Sequence, residues 1–299
     1  MTDKESVTAD KSNGPTGPTA RRRQLGIRLR ALRETAGLTV EQAGSAAGMS
    51  SANVSRYERA RGGVRWNQVD QLCRVYQATD DERRALIDLA KRSKVVDGWW
   101  VPYAGRLPSP MRLLLAIEDE ASRINQYTAG VVPGLLQTLE YASAIKETPG
   151  SELPPDDVTD YLSMRMKRQQ ILARPTPPTL DVIMDESVLH RVVGSPGTMT
   201  DQLDHLLQRG RDPHIDIRVL PFAAGAYGAA LSSFLIYGGQ DPSLDVIFIE
   251  TSAGSLFLEE PEAQAQYARA SDFLRREALD PDASAQLIAE ARKMHMHNK

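Results

Sequence analysis

Ser51, Ala52, Ser55 and Arg56 fall on one side of the stretch Met49-Ser-Ser-Ala-Asn-Val-Ser-Arg-Tyr-Glu58, with Val54 and Tyr57 on the other. As a helix, this stretch turns Val54 and Tyr57 inward and presents the first set outward. Those outward side chains suit the edge of a base pair in a DNA major groove. An arginine matches guanine O6 and N7 with two parallel hydrogen bonds, a serine donates or accepts, and an alanine meets a thymine methyl. Base reading is therefore assigned to Ser51, Ala52, Ser55 and Arg56. Arg59, Arg61 and Arg65 flank the stretch and suit phosphates, whose contacts position a protein without specifying sequence. Thr39, Gln42, Ser50 and Asn53 join them in the phosphate-contacting set. The competing reading is a small helical bundle that binds protein instead.

The neighbouring sequence supplies the elements that would hold this face in place. Leu25, Leu29, Leu32 and Ala36 recur at helical spacing, and Gly37 follows as a helix stop, which predicts a first helix over 22–36. Thr39 and Gln42 make a Thr-x-x-Gln capping box for a second helix, which ends at Gly48. Ser50 caps the third, with Met49 and Val54 spaced as a hydrophobic staple, and Gly62-Gly63 ends it. A fourth helix from Asn67 carries Val69, Leu72, Cys73 and Tyr76 on one face. Thr79-Asp-Asp-Glu82 caps a fifth with Leu86, Leu89 and Ala90 inward. Five short helices predict an all-α domain over 22–94, with a short helix-turn-helix at its centre.

Charge separates this region from the rest. Residues 1–95 hold 18 Lys+Arg against 11 Asp+Glu, while the remainder holds 18 against 28. A basic first third on an acidic remainder points to a polyanion partner for the first part alone. The composition, 41% hydrophobic and 25% charged, is that of a globular protein. The one cysteine excludes an internal disulfide and a multi-cysteine metal site, and fits a reducing compartment. Residues 1–21 are polar and rich in Gly, Pro, Ser and Thr, which predicts a disordered arm rather than a signal peptide. No stretch nears the roughly 18 apolar residues of a membrane span. The expected location is cytoplasmic, on the bacterial nucleoid.

Residues 95–110 form an aromatic connector punctuated by Pro and Gly, in which Trp99, Trp100 and Tyr103 are expected to plug an apolar gap. Beyond it, helices are predicted over 111–127, 133–145 and 156–174. The pattern then changes. Strands are predicted at 179–184, 215–220, 232–237, 245–250 and 255–258, with short helices over 185–193 and 199–209, a small-residue loop at 225–231, and closing helices over 261–279 and 281–295. Residues 111–299 are thus expected to be an α+β domain with a small mixed sheet.

The first region resembles the XRE (Cro/cI-type) helix-turn-helix of phage repressors and bacterial regulators. The residues that carry the likeness are Leu32-Arg-Glu-Thr-Ala-Gly-Leu-Thr39, Gly48, Val54-Ser-Arg-Tyr-Glu58 and the Arg-Ala-Arg-Gly-Gly that follows. The resemblance implies that Arg33 pairs with Glu58 as a structural link, and that Ser51, Ala52 and Arg56 are recognition positions. One departure is Val40, where many members carry a phosphate-binding glutamine; Thr39 or Gln42 would have to replace that contact. Further segments are Trp99, Tyr103, Glu118-Asp-Glu-Ala-Ser-Arg-Ile124, Val131-Val-Pro-Gly-Leu-Leu-Gln-Thr138, Met164-Arg, Arg168-Gln-Gln-Ile171, Met184-Asp-Glu-Ser-Val-Leu189, Val219-Leu-Pro-Phe222, Glu250-Thr and Gly254-Ser-Leu256. They resemble the C-terminal domain of uncharacterised role in a large family of antitoxin-like bacterial regulators, many encoded beside a small partner protein. That likeness implies a partner or an effector.

Catalytic readings are weak. His190, His205, His214, His295 and His297 show no ligand spacing within an ordered element, and His295-Met-His297 reads as a frayed tail. Glu118-Asp-Glu120 reads as a solvated or salt-bridged helix face near Arg123. Cys73 reads as core. Gly225-Ala-Tyr-Gly228 lacks a P-loop lysine or a Rossmann pattern. No enzyme, metal or cofactor is expected. The reading is a sequence-specific DNA-binding transcriptional regulator acting as a homodimer on double-stranded DNA. The second domain serves dimerisation, a small-molecule effector or a small partner protein. The alternative is an antitoxin-like interaction protein whose DNA binding is autoregulatory.

Overall fold

The computed structural model of the chain describes residues 20–61, 63–93, 99–100, 103, 107–148, 155–225, 232–239, 242, 245–251 and 253–297. The expected arm lies outside the described residues up to 19, as do Gly62, most of the connector and all of the 225–231 loop after Gly225. The chain divides into two compact units, 1–116 and 117–299.

The first unit is all-α, built from α1 (Ala20–Thr35), α2 (Val40–Ala46), α3 (Ser51–Glu58), α4 (Trp66–Val75) and α5 (Asp80–Arg92). The apolar spacings of the sequence converge on one core: Leu25 and Leu29 of α1, Ala43 of α2, Val54 and Tyr57 of α3, Val69, Leu72 and Cys73 of α4, and Leu86 and Ala90 of α5. Helix one starts two residues earlier than the periodicity indicated and ends at Thr35, leaving Ala36 exposed in the turn. Trp100 is buried, and Trp99 meets Trp100 and Tyr103 edge-on at 6.3 and 6.4 Å.

The second unit is α+β. After α6 (Ser109–Glu120), its described elements run β1 (Arg123–Thr128), α7 (Leu139–Lys146), α8 (Pro155–Arg168), β2 (Thr179–Asp185), α9 (Ser187–His190), α10 (Pro196–Arg209), β3 (Ile215–Leu220), β4 (Phe234–Gly238), β5 (Val246–Thr251), β6 (Gly254–Leu258), α11 (Pro261–Glu277) and α12 (Pro281–His297). The strands form one mixed sheet in the order β3-β2-β1-β4-β5-β6. β1, β2 and β3 are parallel, which requires the helical crossovers α7–α8 and α9–α10. β4 is antiparallel to β1, β5 to β4, and β6 to β5. Tyr127, Ile183, Leu220, Phe234, Ile236, Ile247 and Ile249 on the sheet pack with Ala270 and Leu274 of α11. On the other side of the chain order, α10 packs against α12, and α12 against β3. The outer edge of β3 is closed at Val219: its N–H donates to Ser284 Oγ at 3.0 Å and its carbonyl accepts from Leu279 N at 2.9 Å.

Four expectations in this unit are corrected. The helix predicted over 111–127 stops at Glu120, and Arg123–Thr128 is an inner strand paired with both β2 and β4. The polar pair Asn125-Gln126 hid its strand character; buried Ile124, Tyr127 and Thr128 supply it. The helix over 133–145 is broken: a 3₁₀ turn spans Gly134–Leu136, and Thr138 then caps α7 by accepting from Tyr141 N. The helix over 156–174 ends as α8 at Arg168 and continues as a 3₁₀ segment, Gln169–Ala173. His295 is no frayed tail. It is buried on α12, its Nε2 2.8 Å from the Leu189 carbonyl oxygen.

Candidate nucleic-acid interface

Helix α2, its turn and α3 are fixed by local chemistry. Thr39 Oγ1 accepts from Gln42 N at 3.2 Å, and Gln42 Oε1 accepts from Thr39 N at 2.8 Å, a reciprocal cap. Gly48 takes φ +64°, a left-handed conformation that a β-carbon disfavours, and Met49 N closes back on the Gly44 carbonyl at 2.9 Å. Ser50 Oγ then accepts from Asn53 N at 3.2 Å and starts α3. With Val54 and Tyr57 buried, Ala52, Arg56 and Arg59 stand exposed, and Ser51, Asn53 and Ser55 are half-buried beside them.

Three links hold α3 to its neighbours. Arg33 Nε and Nη2 donate to the two Glu58 oxygens at 2.8 and 3.0 Å, and Arg33 Nη1 donates to the Leu38 carbonyl at 2.7 Å. The bond to Glu58 raises the Arg33 pKa, so the guanidinium stays charged. At Gly26 the two helices touch: an added β-carbon would lie 2.6 Å from the Glu58 carbonyl oxygen and 2.7 Å from that of Tyr57. Finally, Gln68 Oε1 accepts from both Tyr57 OH and Arg65 N, each at 3.1 Å. This third link was not read from the sequence. Its sign was there in Arg65-x-x-Gln68, the spacing of a helix cap.

The assigned contact residues differ in how free they are. Arg56 Nη2 donates to Asn53 Oδ1 at 3.0 Å, and its guanidinium lies 5.6 Å from the Tyr57 ring centre. Four of its five N–H donors remain for a base or phosphate. The Asn53 side-chain oxygen is thus engaged by Arg56. Gln42 and Ser50 are committed through oxygen to their caps, leaving the Gln42 amide nitrogen and the Ser50 hydroxyl proton to donate outward. Thr39, Arg59, Arg61 and Arg65 are exposed. Trp66, beside Arg65, is 49% exposed, with Lys91 Nζ 5.7 Å from its ring centre.

A model of a helix-turn-helix domain matches residues 24–86. A second, described as a domain of unknown function (DUF5753), matches residues 111–290, more than half of the chain. The chain belongs to the DUF5753 family. Comparison of this DUF5753 protein with curated proteins and with solved structures returns no match. Neither matched description names a catalytic activity. Among the described residues no group of three or more His, Cys, Asp or Glu side chains is placed to hold a metal ion, and no helix is long and apolar enough to cross a membrane.

In the DUF5753 region Glu118-Asp-Glu120 is the salt-bridged form of the expected helix face, with partners other than Arg123. Glu118 is 2% exposed and receives Arg168 Nε and Nη2, each at 2.5 Å, and Tyr237 OH at 3.0 Å. Burial and then the Glu118 charge raise the Tyr237 phenol well above its ordinary pKa, so it stays a donor. Asp119 pairs with Arg174, and Arg123 pairs with Asp245 rather than with its helix.

Proposed function

We propose that this protein is a sequence-specific DNA-binding transcriptional regulator that inserts α3 into the major groove. The observation that carries the reading is the two-sided construction of α3 within a matched helix-turn-helix domain. Val54 and Tyr57 anchor one side, and Ser51, Ala52, Ser55 and Arg56 form the other. Arg56 is the main base reader, preset by Asn53. Arg59, Arg61 and Arg65, with Thr39, Gln42, Ser50 and Asn53, bind phosphates along the flanks. One such helix reads few base pairs, so the protein acts as a homodimer on a pseudo-palindrome with half-sites about one helical turn, roughly 10 base pairs, apart. The antitoxin-like alternative is favoured by a different observation. Around α9, Val192 and Phe222 are exposed apolar side chains, as are Met294 and Met296 on the end of α12 that reaches Leu189.

The experiment is selection of bound sequences from a random duplex pool, with wild-type protein and with Arg56→Ala. Wild type should return a two-fold symmetric site, and the variant should lose preference at the base pairs that Arg56 contacts. Recovery of the same site by the variant would remove Arg56 from base reading. Recovery of no preferred site by wild type, together with a stoichiometric small protein in the native purification, would favour the interaction-protein reading.

A further inference from the structure

The DNA reading leaves a group of charged side chains in the α+β unit unused. Tyr161, Arg165 and Arg168 recur along α8 at i, i+4 and i+7, one side of a helix. Arg168 is accounted for by Glu118, whose two oxygens are both engaged. Arg165 is not. Its Nη1 donates to Gln137 Oε1 at 2.5 Å and its Nη2 to Tyr161 OH, and neither partner is a carboxylate. Gln137 is 2% exposed, and its amide nitrogen donates to the Val132 carbonyl at 2.7 Å, so its oxygen is locked toward Arg165. Three of the five guanidinium donors have no partner among the described residues.

A second cation stands across the same ring. Lys146, the last residue of α7, places Nζ 4.5 Å from the centre of the Tyr161 ring, and the Arg165 guanidinium carbon lies 5.1 Å from it. Among the described residues, neither Arg165 nor Lys146 has a carboxylate within 4.0 Å. Glu250 acts on Arg165 only at longer range. Burial first, with a smaller lowering by the Arg168 charge, holds the Arg165 pKa below the ordinary guanidinium value, and Tyr161 acts against them. Gly134 makes the room: a β-carbon there would come within 2.9 Å of Arg165 Nη1.

A cation withdrawn from water without a carboxylate partner is costly to fold, and the cost is offset only when a counter-charge arrives. We propose that Arg165 and Lys146, set around Tyr161, bind the oxyanion of a small ligand, a carboxylate or a phosphate. Arg165 supplies the fork that fits two oxygens of such a group, Lys146 supplies a mobile point charge, and the Tyr161 ring lies between them as a flat wall. The half-buried setting of all three residues gives the ligand access from solvent while excluding much of the water that would screen the contact. This site is independent of the DNA-reading surface, and its occupancy is measurable without DNA.

The test is thermal unfolding of the full chain titrated with inorganic phosphate and, separately, with acetate, each at constant ionic strength set by chloride. Wild type should gain stability along a saturating curve with at least one of the two anions. The tighter of them assigns the ligand group. Arg165→Met should bind about ten- to a hundredfold more weakly, the loss expected for a charge-assisted hydrogen bond. Lys146→Met, which removes no hydrogen bond, is the second variant should Arg165→Met not fold, and it should also weaken the response. A response to neither anion overturns the proposal, as does an equal response in wild type and in a folded variant.

Discussion

Arg33 and Glu58 form a two-pronged ion pair at 2.8 and 3.0 Å, with their side chains only 10% and 5% exposed. The pair ties the last turn of α1 to the last residue of α3, so the helix that presents Arg56 is fixed at the end farther from its serine cap. Removing Glu58 leaves the buried Arg33 with only the exposed Glu34, at 3.5 Å, as a counter-charge. Glu58→Ala is expected to lose about 3–5 kcal/mol of unfolding free energy in urea. The double variant Arg33→Met/Glu58→Leu should recover much of that loss, because two apolar groups need no counter-charge. A single variant within about 0.5 kcal/mol of wild type would show that water reaches the pair.

Gly26→Ala tests the contact between the same two helices without touching any charge. Its methyl group would meet two α3 carbonyl oxygens that cannot rotate away. The expected loss is about 1–3 kcal/mol, the usual cost of overpacking. Because the strain falls on α3, DNA affinity should drop even at temperatures where the domain stays folded. Unchanged stability and affinity would mean that α1 moves aside freely.

Arg61 is exposed just past α3 and is assigned to a phosphate. Arg61→Ala should weaken binding to specific and random DNA alike and reduce the slope of log K against log salt by about 1. A loss confined to the specific site would instead move Arg61 to the base-reading set.

His205 on α10 gives the second unit a pH dependence. Burial, and then the Arg209 charge, lower its pKa. The ring is therefore neutral in the fold, while the unfolded chain takes up a proton below about pH 6.5. Stability is full above that value and falls as pH drops from there toward the lower folded pKa. His205→Gln should flatten this part of the profile, measured by urea unfolding at half-unit steps from pH 7.5 to about 5. Identical profiles for variant and wild type would assign the acid sensitivity to other groups.

What could be read in advance follows from how local each feature is. Thr39 with Gln42, Ser50 before α3, and Thr79 with Glu82 are contacts within one turn, and the letters alone locate them. The apolar spacing from Leu25 to Ala90 likewise named the first core. β1 was misread because Asn125 and Gln126 interrupt its apolar pattern, and only its two flanking strands make it a strand. The cap at Thr138 is masked by Pro133, whose suitability for a first helical turn places the expected start of α7 six residues too early. Glu118 with Arg168 spans 50 positions, and no spacing rule reaches across that distance. Both segments had stood out by resemblance, yet nothing local joined them. The surroundings of Arg165 were illegible for the same reason: they bring together Gly134, Gln137, Lys146 and Tyr161 from three successive elements.

A sheet whose last strand exposes its backbone invites a strand from another molecule to continue it. At β3 that invitation is withdrawn from within. Val219, the last outward-facing residue of β3, gives its N–H to Ser284 in the first turn of α12 and its carbonyl to Leu279 just before that helix. A foreign strand arriving there would find neither donor nor acceptor and would have to displace α12 first. Strand addition over the C-terminal end of β3 thus meets α12, while β6 forms the opposite edge of the sheet.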